Sequence, residues 1–275
     1  MGDLIYLFHR LTRSFFIRPK LLFEKVYKRN LRKSRSAFFP YYKLHNECLT
    51  ELLSIKEILI KEHLSGEDKE FNEVILLLLS RSIQHVESIF VVIERGLYGD
   101  AFVLLRGIIS DMNMFYYLHF QPNLVSSFLK EGWDTYQKDK NFQKDFHESR
   151  IAEVLKQNGI KSVDQGFKTL SKAAHASRWG SQLYGTRMKS KDNKDRFLVK
   201  HEPMLDPEKA TGLFNIASST HYDFLRMIIW HRMLTKLDLD SPPWIKIKKF
   251  VDEKAEEVID LNRHTNEVLL PLFKI

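Results

Sequence analysis

The chain has 275 residues, 44% of them hydrophobic and 28% charged, a composition ordinary for a globular protein with a real core, in one large domain or two small ones. A single cysteine, Cys48, excludes an intramolecular disulfide and a multi-cysteine zinc site, and it fits a reducing, cytoplasmic compartment. The net charge of +8 is unevenly placed: Met1 to His45 hold eleven Lys/Arg against Asp3 and Glu24, a surplus of nine, so residues 46–275 sum to −1.

Residues 1–41 read as a basic amphipathic arm. Leu4, Phe8, Leu11 and Phe15 share one helix face, with Arg10 and Arg13 beside them. Pro19 opens a second basic segment, in which Lys20 to Arg35 mixes cations with Leu21, Leu22, Val26 and Leu31, and Pro40 closes it. Such an arm attracts polyanions. The candidate binding residues are Arg10, Arg13, Arg18, Lys20, Lys25, Lys28, Arg29, Arg32, Lys33 and Arg35, with Phe15, Phe16, Phe38, Phe39, Tyr41 and Tyr42 available to stack on nucleic-acid bases. An anionic membrane surface is a lesser alternative, with Leu4, Phe8, Leu11 and Phe15 buried in it. In a third reading these apolar residues dock on the protein's own bundle.

No stretch reads as a membrane span. Val74 to Leu79 is soon followed by Arg81 and His85, and Ile89 to Ile93 ends at Glu94 and Arg95, short of the roughly 18 uninterrupted apolar residues that spanning requires. The run Leu4 to Phe8 is too short for a secretory signal, and Asp3 and Glu24 weaken an organellar transit peptide.

From residue 42 onward the pattern is helical. One helix is expected from about Tyr42 to Leu64, and a second from Asp68 to Arg95, whose broad stripe of Phe71, Ile75, Leu78, Val86, Ile89 and Ile93 marks it as central. Gly96 is a C-cap candidate and Asp100 an N-cap candidate. A third helix from Asp100 to His119 closes an antiparallel hairpin with the second. Further helices are expected at Pro122–Lys140, Phe142–Gln157 and Ser162–Ala176. Arg178 to Met204 lacks a 3.6 period and reads as a long exposed loop. Asp206-Pro207 opens a helix to about Leu237, Ser241-Pro242-Pro243 breaks the chain, and a last helix spans about Ile245 to Leu270.

Two patches carry possible chemistry. Arg106 sits in the almost wholly apolar run Asp100 to Ile109 and needs an acid, either from another helix or Asp111. It reads as a structural ion pair or as an anion-binding arginine facing a pocket. Ser171 and His175 are four apart and so share a helix face, yet no base-orienting partner or oxyanion site accompanies them. The segment from about residue 70 to 230 resembles a bacterial domain-of-unknown-function family, number 5677, through Tyr98, Asp100-Ala101, Leu104-Leu105-Arg106, Leu170-Ser171 and His175. That family implies a helical fold and no established activity. Its pattern places a glutamate four residues after the arginine; here that position is Ser110, with Asp111 next.

A second resemblance is to helical ribonucleases of the HEPN class, which use an Arg and a His separated by four to six residues near a bundle interface. Arg196 with His201 and Arg226 with His231 match that spacing. Five residues of helix leave Arg226 and His231 about 140° apart. Arg81 and His85 share a face with only three residues between them. The resemblance implies a metal-independent, dimeric ribonuclease.

The histidines lack metal-ligand spacing, and H-E-x-x-H, P-loop, G-x-G-x-x-G and G-x-S-x-G motifs are missing, so neither a metal nor a cofactor is expected. The expectation is therefore an all-α multi-helix bundle over residues 42–275 behind a basic helical arm, binding an anionic partner, nucleic acid above all, with a HEPN-like ribonuclease as the alternative and a homo-oligomer possible.

Overall fold

A computed structural model describes residues 28, 32, 38–65, 68–130, 139–160, 185–189, 195–199 and 207–273. The fold is an all-α multi-helix bundle. Its long helices are α1 (Phe39–Ser65), α2 (Lys69–Glu94) and α3 (Tyr98–Phe120). A 3₁₀ turn (Pro122–Leu124) leads into the shorter α4 (Val125–Lys130), α5 (Lys140–Asp145) and α6 (Glu148–Gln157), and the long α7 (Pro207–Thr235) and α8 (Pro242–Phe273) complete the order.

The segment read as a loop holds an antiparallel pair, β1 (Gly185–Lys189) and β2 (Asp195–Val199), with Arg187 opposite Phe197. Each strand has five residues, too few for a period of two to stand out. The chain between them, Ser190-Lys191-Asp192-Asn193-Lys194, is rich in turn formers. The helix expected at Ser162–Ala176 lies outside the described residues.

Other boundaries follow from capping. Gly96 has φ 74°, and Gly96 N–H donates to Ile93 O while Leu97 N–H donates to Val92 O. This Schellman arrangement ends α2 where the sequence places a C-cap. Asp100 is not the N-cap of α3; Leu97 is, and Asp100 lies in the first turn. The helix expected at 142–157 is two helices. Asp139 caps α5 by accepting from Asn141 N and Phe142 N, and the His147 ring caps α6 by accepting from Ser149 N. Buried Phe146 at the junction packs on Tyr117, Phe128 and Phe142.

The sequence marks α2 as central, and it touches α1, α3, α4 and α7; α7 is as well connected and more deeply buried. Glu73, Leu77, Arg81, Gln84 and Val91 leave one stripe of α2 exposed. On α7, by contrast, Leu213, Phe214, Ala217, His221, Phe224, Leu225, Ile228 and Arg232 are buried around the helix, which touches α1, α2, α3 and α8. Phe214 meets Phe38, Tyr42 and Phe90 at one end, and His231 meets Phe71 and Phe115 at the other. By length and composition α2 is apolar enough to cross a membrane; here Val74, Ile75, Leu78, Leu79, Val86 and Ile89 are in the core.

Arg232 fastens three helices. It is fully buried and donates two bonds to Glu62 of α1, at 2.7 and 3.1 Å, and two to the Asp238 carbonyl. Trp244 of α8 lies under its guanidinium at 4.1 Å and donates its indole N–H to Glu62. Removing one member of a buried ion pair strands the other and typically costs 3–5 kcal/mol. Arg232→Ala should therefore lower unfolding free energy by about 3 kcal/mol in urea titrations. A loss under about 1 kcal/mol would contradict this role.

Candidate functional site

The two α3 candidates, Arg106 and Asp111, part company. Arg106 is half-buried and its Nη2 reaches Glu148 Oε1 of α6 at 3.3 Å. Asp111, fully buried, instead accepts from Arg81 of α2 through Nε (2.9 Å) and Nη2, and from Ser82 Oγ at 3.2 Å. Arg106 therefore pairs with an acid from another helix, and Arg81 takes Asp111. Ser171 and His175 lie outside the described residues, and Arg106 and Asp111 each enter a separate ion pair.

The ribonuclease-spaced pair on α7 does not converge. Arg226 is exposed, with Asp223 at 3.9 Å and the Tyr222 ring 5.8 Å from its guanidinium carbon. His231 is buried and turned inward. The 140° offset noted in the sequence persists because α7 is a regular helix there. Of the other pair, Arg196 belongs to β2 and His201 lies outside the described residues. Arg81, with its carboxylate partner Asp111, makes no pair with His85, whose ring sits against Gly107, where a Cβ would approach it to 2.8 Å.

What His231 does join was not visible in the sequence. Its Nδ1 lies 2.8 Å from Nδ1 of His119 at the end of α3, and its Nε2 lies 3.5 Å from Asp68 Oδ2 just before α2. The His231 ring stacks on Phe71 at 3.9 Å and 7°. His119 is half-buried and packs on Trp230 at 4.4 Å, and Trp230 also meets the edge of Tyr116 at 5.4 Å. Burial, then the neighbouring His231, pushes the His119 pKa down to about 4. Burial, then Asp223, raises the Tyr116 hydroxyl, with Arg226 pulling it back, so both charges face that ring.

A second histidine pair lies deeper. His45 of α1 stacks between Phe90 (4.2 Å) and His221 (5.0 Å) and meets Glu87 at 2.9 Å. His221 is fully buried, and neither ring nitrogen has a hydrogen-bond partner. Burial, then His45, pushes its pKa down to about 3. No group of three or more His, Cys, Asp or Glu among the described residues is arranged to hold a metal ion.

Most of the arm lies outside the described residues. Lys28 and Arg32, which are described, are helical, exposed and one turn apart. The stacking set needs correction. Phe38 and Tyr41 are buried in the core and Tyr42 is half-buried against Phe90 and Phe214, so of these four only Phe39 is freely exposed, at 64%. Phe38 and Tyr41, read as arm residues, belong to the core of the bundle. No family model, no curated protein and no solved structure matches the chain.

The buried histidines set the response to acid. With pKa values of about 3 for His221 and about 4 for His119, against about 6.5 unfolded, the unfolded chain binds protons that the fold refuses. Their contribution to stability is complete above pH 6.5 and is lost as pH falls from there toward 4 and 3. The urea midpoint should drop between pH 7 and pH 5, and His221→Leu should shrink that drop. A midpoint unchanged between the two pH values would contradict the burial argument.

Proposed function

We propose that this protein is an interaction module that binds nucleic acid through its basic N-terminal arm. The observation that carries the reading is the contrast between arm and body. Around the bundle, cations stand beside carboxylates: Arg81 with Asp111, Arg106 with Glu148, Arg232 with Glu62, Lys246 with Glu51, and Lys254 with Glu47 and Glu257. Arg150, Lys249 and Arg263 each have an acid three or four residues away. Residues 1–41 hold ten cations and two acids, so pairing within the arm cannot neutralise it. Uncompensated lysines and arginines gain free energy by displacing counterions from phosphates, a contribution that needs no sequence recognition.

Phe39 adds one exposed aromatic ring at the root of the arm, where a base can stack. Because Phe38 and Tyr41 are committed to the core, affinity in this reading is mainly electrostatic.

A matched charge reversal tests it. Lys28→Glu/Arg32→Glu should weaken binding of a labelled single-stranded RNA about tenfold or more at low salt. Lys249→Glu/Arg263→Glu, the same charge change on the body, should weaken it by less than about twofold. Equal effects from both pairs, or capture of anionic vesicles with no RNA binding, would overturn the proposal.

A further inference from the structure

The strands β1 and β2 pair with each other and, among the described residues, with no third strand. Each outer edge of this ribbon is a row of backbone N–H and C=O groups without a ladder partner among those residues, and such edges seek one elsewhere. Positive charge is concentrated in the same segment. Residues 185–199 hold Arg187, Lys189, Lys191, Lys194 and Arg196 against Asp192 and Asp195, a surplus of three, while the rest of residues 42–275 sums to −3.

The register distributes the charges of the strands. Directly opposed residues of an antiparallel pair share a face, and successive residues alternate between faces. Lys189 is opposite Asp195, so these two offset each other. Arg187, opposite Phe197, belongs to that same face, and Arg196, opposite Met188, belongs to the other. Each face of the ribbon thus has one arginine with no acid opposite it.

The dimensions of a ribbon choose among nucleic acids. A sheet with side chains on both faces is about 10 Å thick. The major groove of B-form DNA is about 12 Å wide and admits a two-stranded ribbon, whereas the minor groove is about 6 Å wide. The major groove of an A-form RNA duplex is too narrow for side chains to read, and a single strand has no groove. A ribbon on edge in the B-form major groove turns one face to each phosphate wall. It turns one backbone edge to the bases, which there offer both donors and acceptors.

We propose that the β1–β2 ribbon lies on edge in the major groove of duplex DNA, with Arg187 on the phosphates of one wall and Arg196 on those of the other. The proposal rests on the nucleic-acid reading above and names its substrate class. Two phosphate contacts are too few to hold a duplex by themselves, so the arm supplies the affinity and the ribbon supplies the preference for B-form DNA.

The test is fluorescence anisotropy on the full chain with a short DNA duplex, the RNA duplex of the same sequence, and a single-stranded RNA. The DNA duplex should bind at least about tenfold more tightly than the RNA duplex. Arg187→Ser/Arg196→Ser should bring the two duplexes within about twofold and make the salt slope for DNA shallower by about 2, at ~0.9 per lost phosphate contact, with the RNA slope unchanged. Lys249→Ser/Arg263→Ser, which removes the same charge from α8, should leave the preference intact. Met188→Pro, which disrupts strand pairing inside β1, should also abolish the preference while circular dichroism shows the helices unchanged. Lys28→Glu/Arg32→Glu should weaken all three probes and keep the preference. Equal affinity for the two duplexes, or a preference that survives in Arg187→Ser/Arg196→Ser, would overturn the proposal. Binding of single-stranded RNA with no binding of the DNA duplex would overturn it and leave the arm reading standing, and no binding of any probe would overturn both.

Discussion

Burying most of α7 is the constraint from which the rest of the bundle follows. A helix surrounded by four others must satisfy each polar side chain it carries, because an unpaired buried donor or acceptor costs about 1–3 kcal/mol. The sequence of α7 is far from purely apolar. Its polar positions select its neighbours: Asn215 donates to Asn262 of α8, Tyr222 to the Val251 carbonyl, and Arg232 to Glu62 of α1. Ser218 and Thr220 return their hydroxyls to carbonyls of α7 itself. Each bond also fixes a register, so α1 runs alongside α7 while α2 and α8 run against it. Asn215 Oδ1 and both ring nitrogens of His221 are left unpartnered, and His221 makes the core sensitive to acid.

Charge is handled in the same local way across the body and differently in the arm. Where α1 meets α8, Lys246 and Lys254 find Glu51 and Glu47; where α2 meets α3, Arg81 finds Asp111. The more exposed of such pairs contribute little to stability, whereas Asp111 is fully buried and depends on Arg81 and Ser82. The consequence of this pairing is a body whose field is short-ranged. Against that background residues 1–41, with a surplus of eight positive charges, are the segment to which the proposed function assigns the attraction of a polyanion.

The long helices were legible because each carries several turns of apolar residues at helical spacing, and Gly96, Pro207 and Pro242 marked ends that chain geometry enforces. Shorter elements were not. The β-hairpin rests on five paired residues per strand, and the break at Phe146-His147 depends on a histidine cap rather than on Gly or Pro. Buried Phe38 reads as an arm residue because its partner, Phe214, is far away in sequence. The candidate site shows the same limit. His231 was singled out for its spacing from Arg226, a neighbour that faces away from it. Its real partners, His119 and Asp68, lie 112 and 163 residues distant, and no local pattern reports a separation of that size. The one hint was the position of each at a helix end or within an aromatic pair: His119 closing α3, Asp68 opening α2, and Trp230 preceding His231.

The most direct measurement of the central claim is the salt dependence of nucleic-acid affinity for the full chain and for residues 38–275. A cationic arm on a compensated body predicts that log K falls against log salt with a slope of about −4 or steeper for the full chain, and close to zero without the arm. The same slope in both proteins would place the binding charge on the bundle and contradict the account.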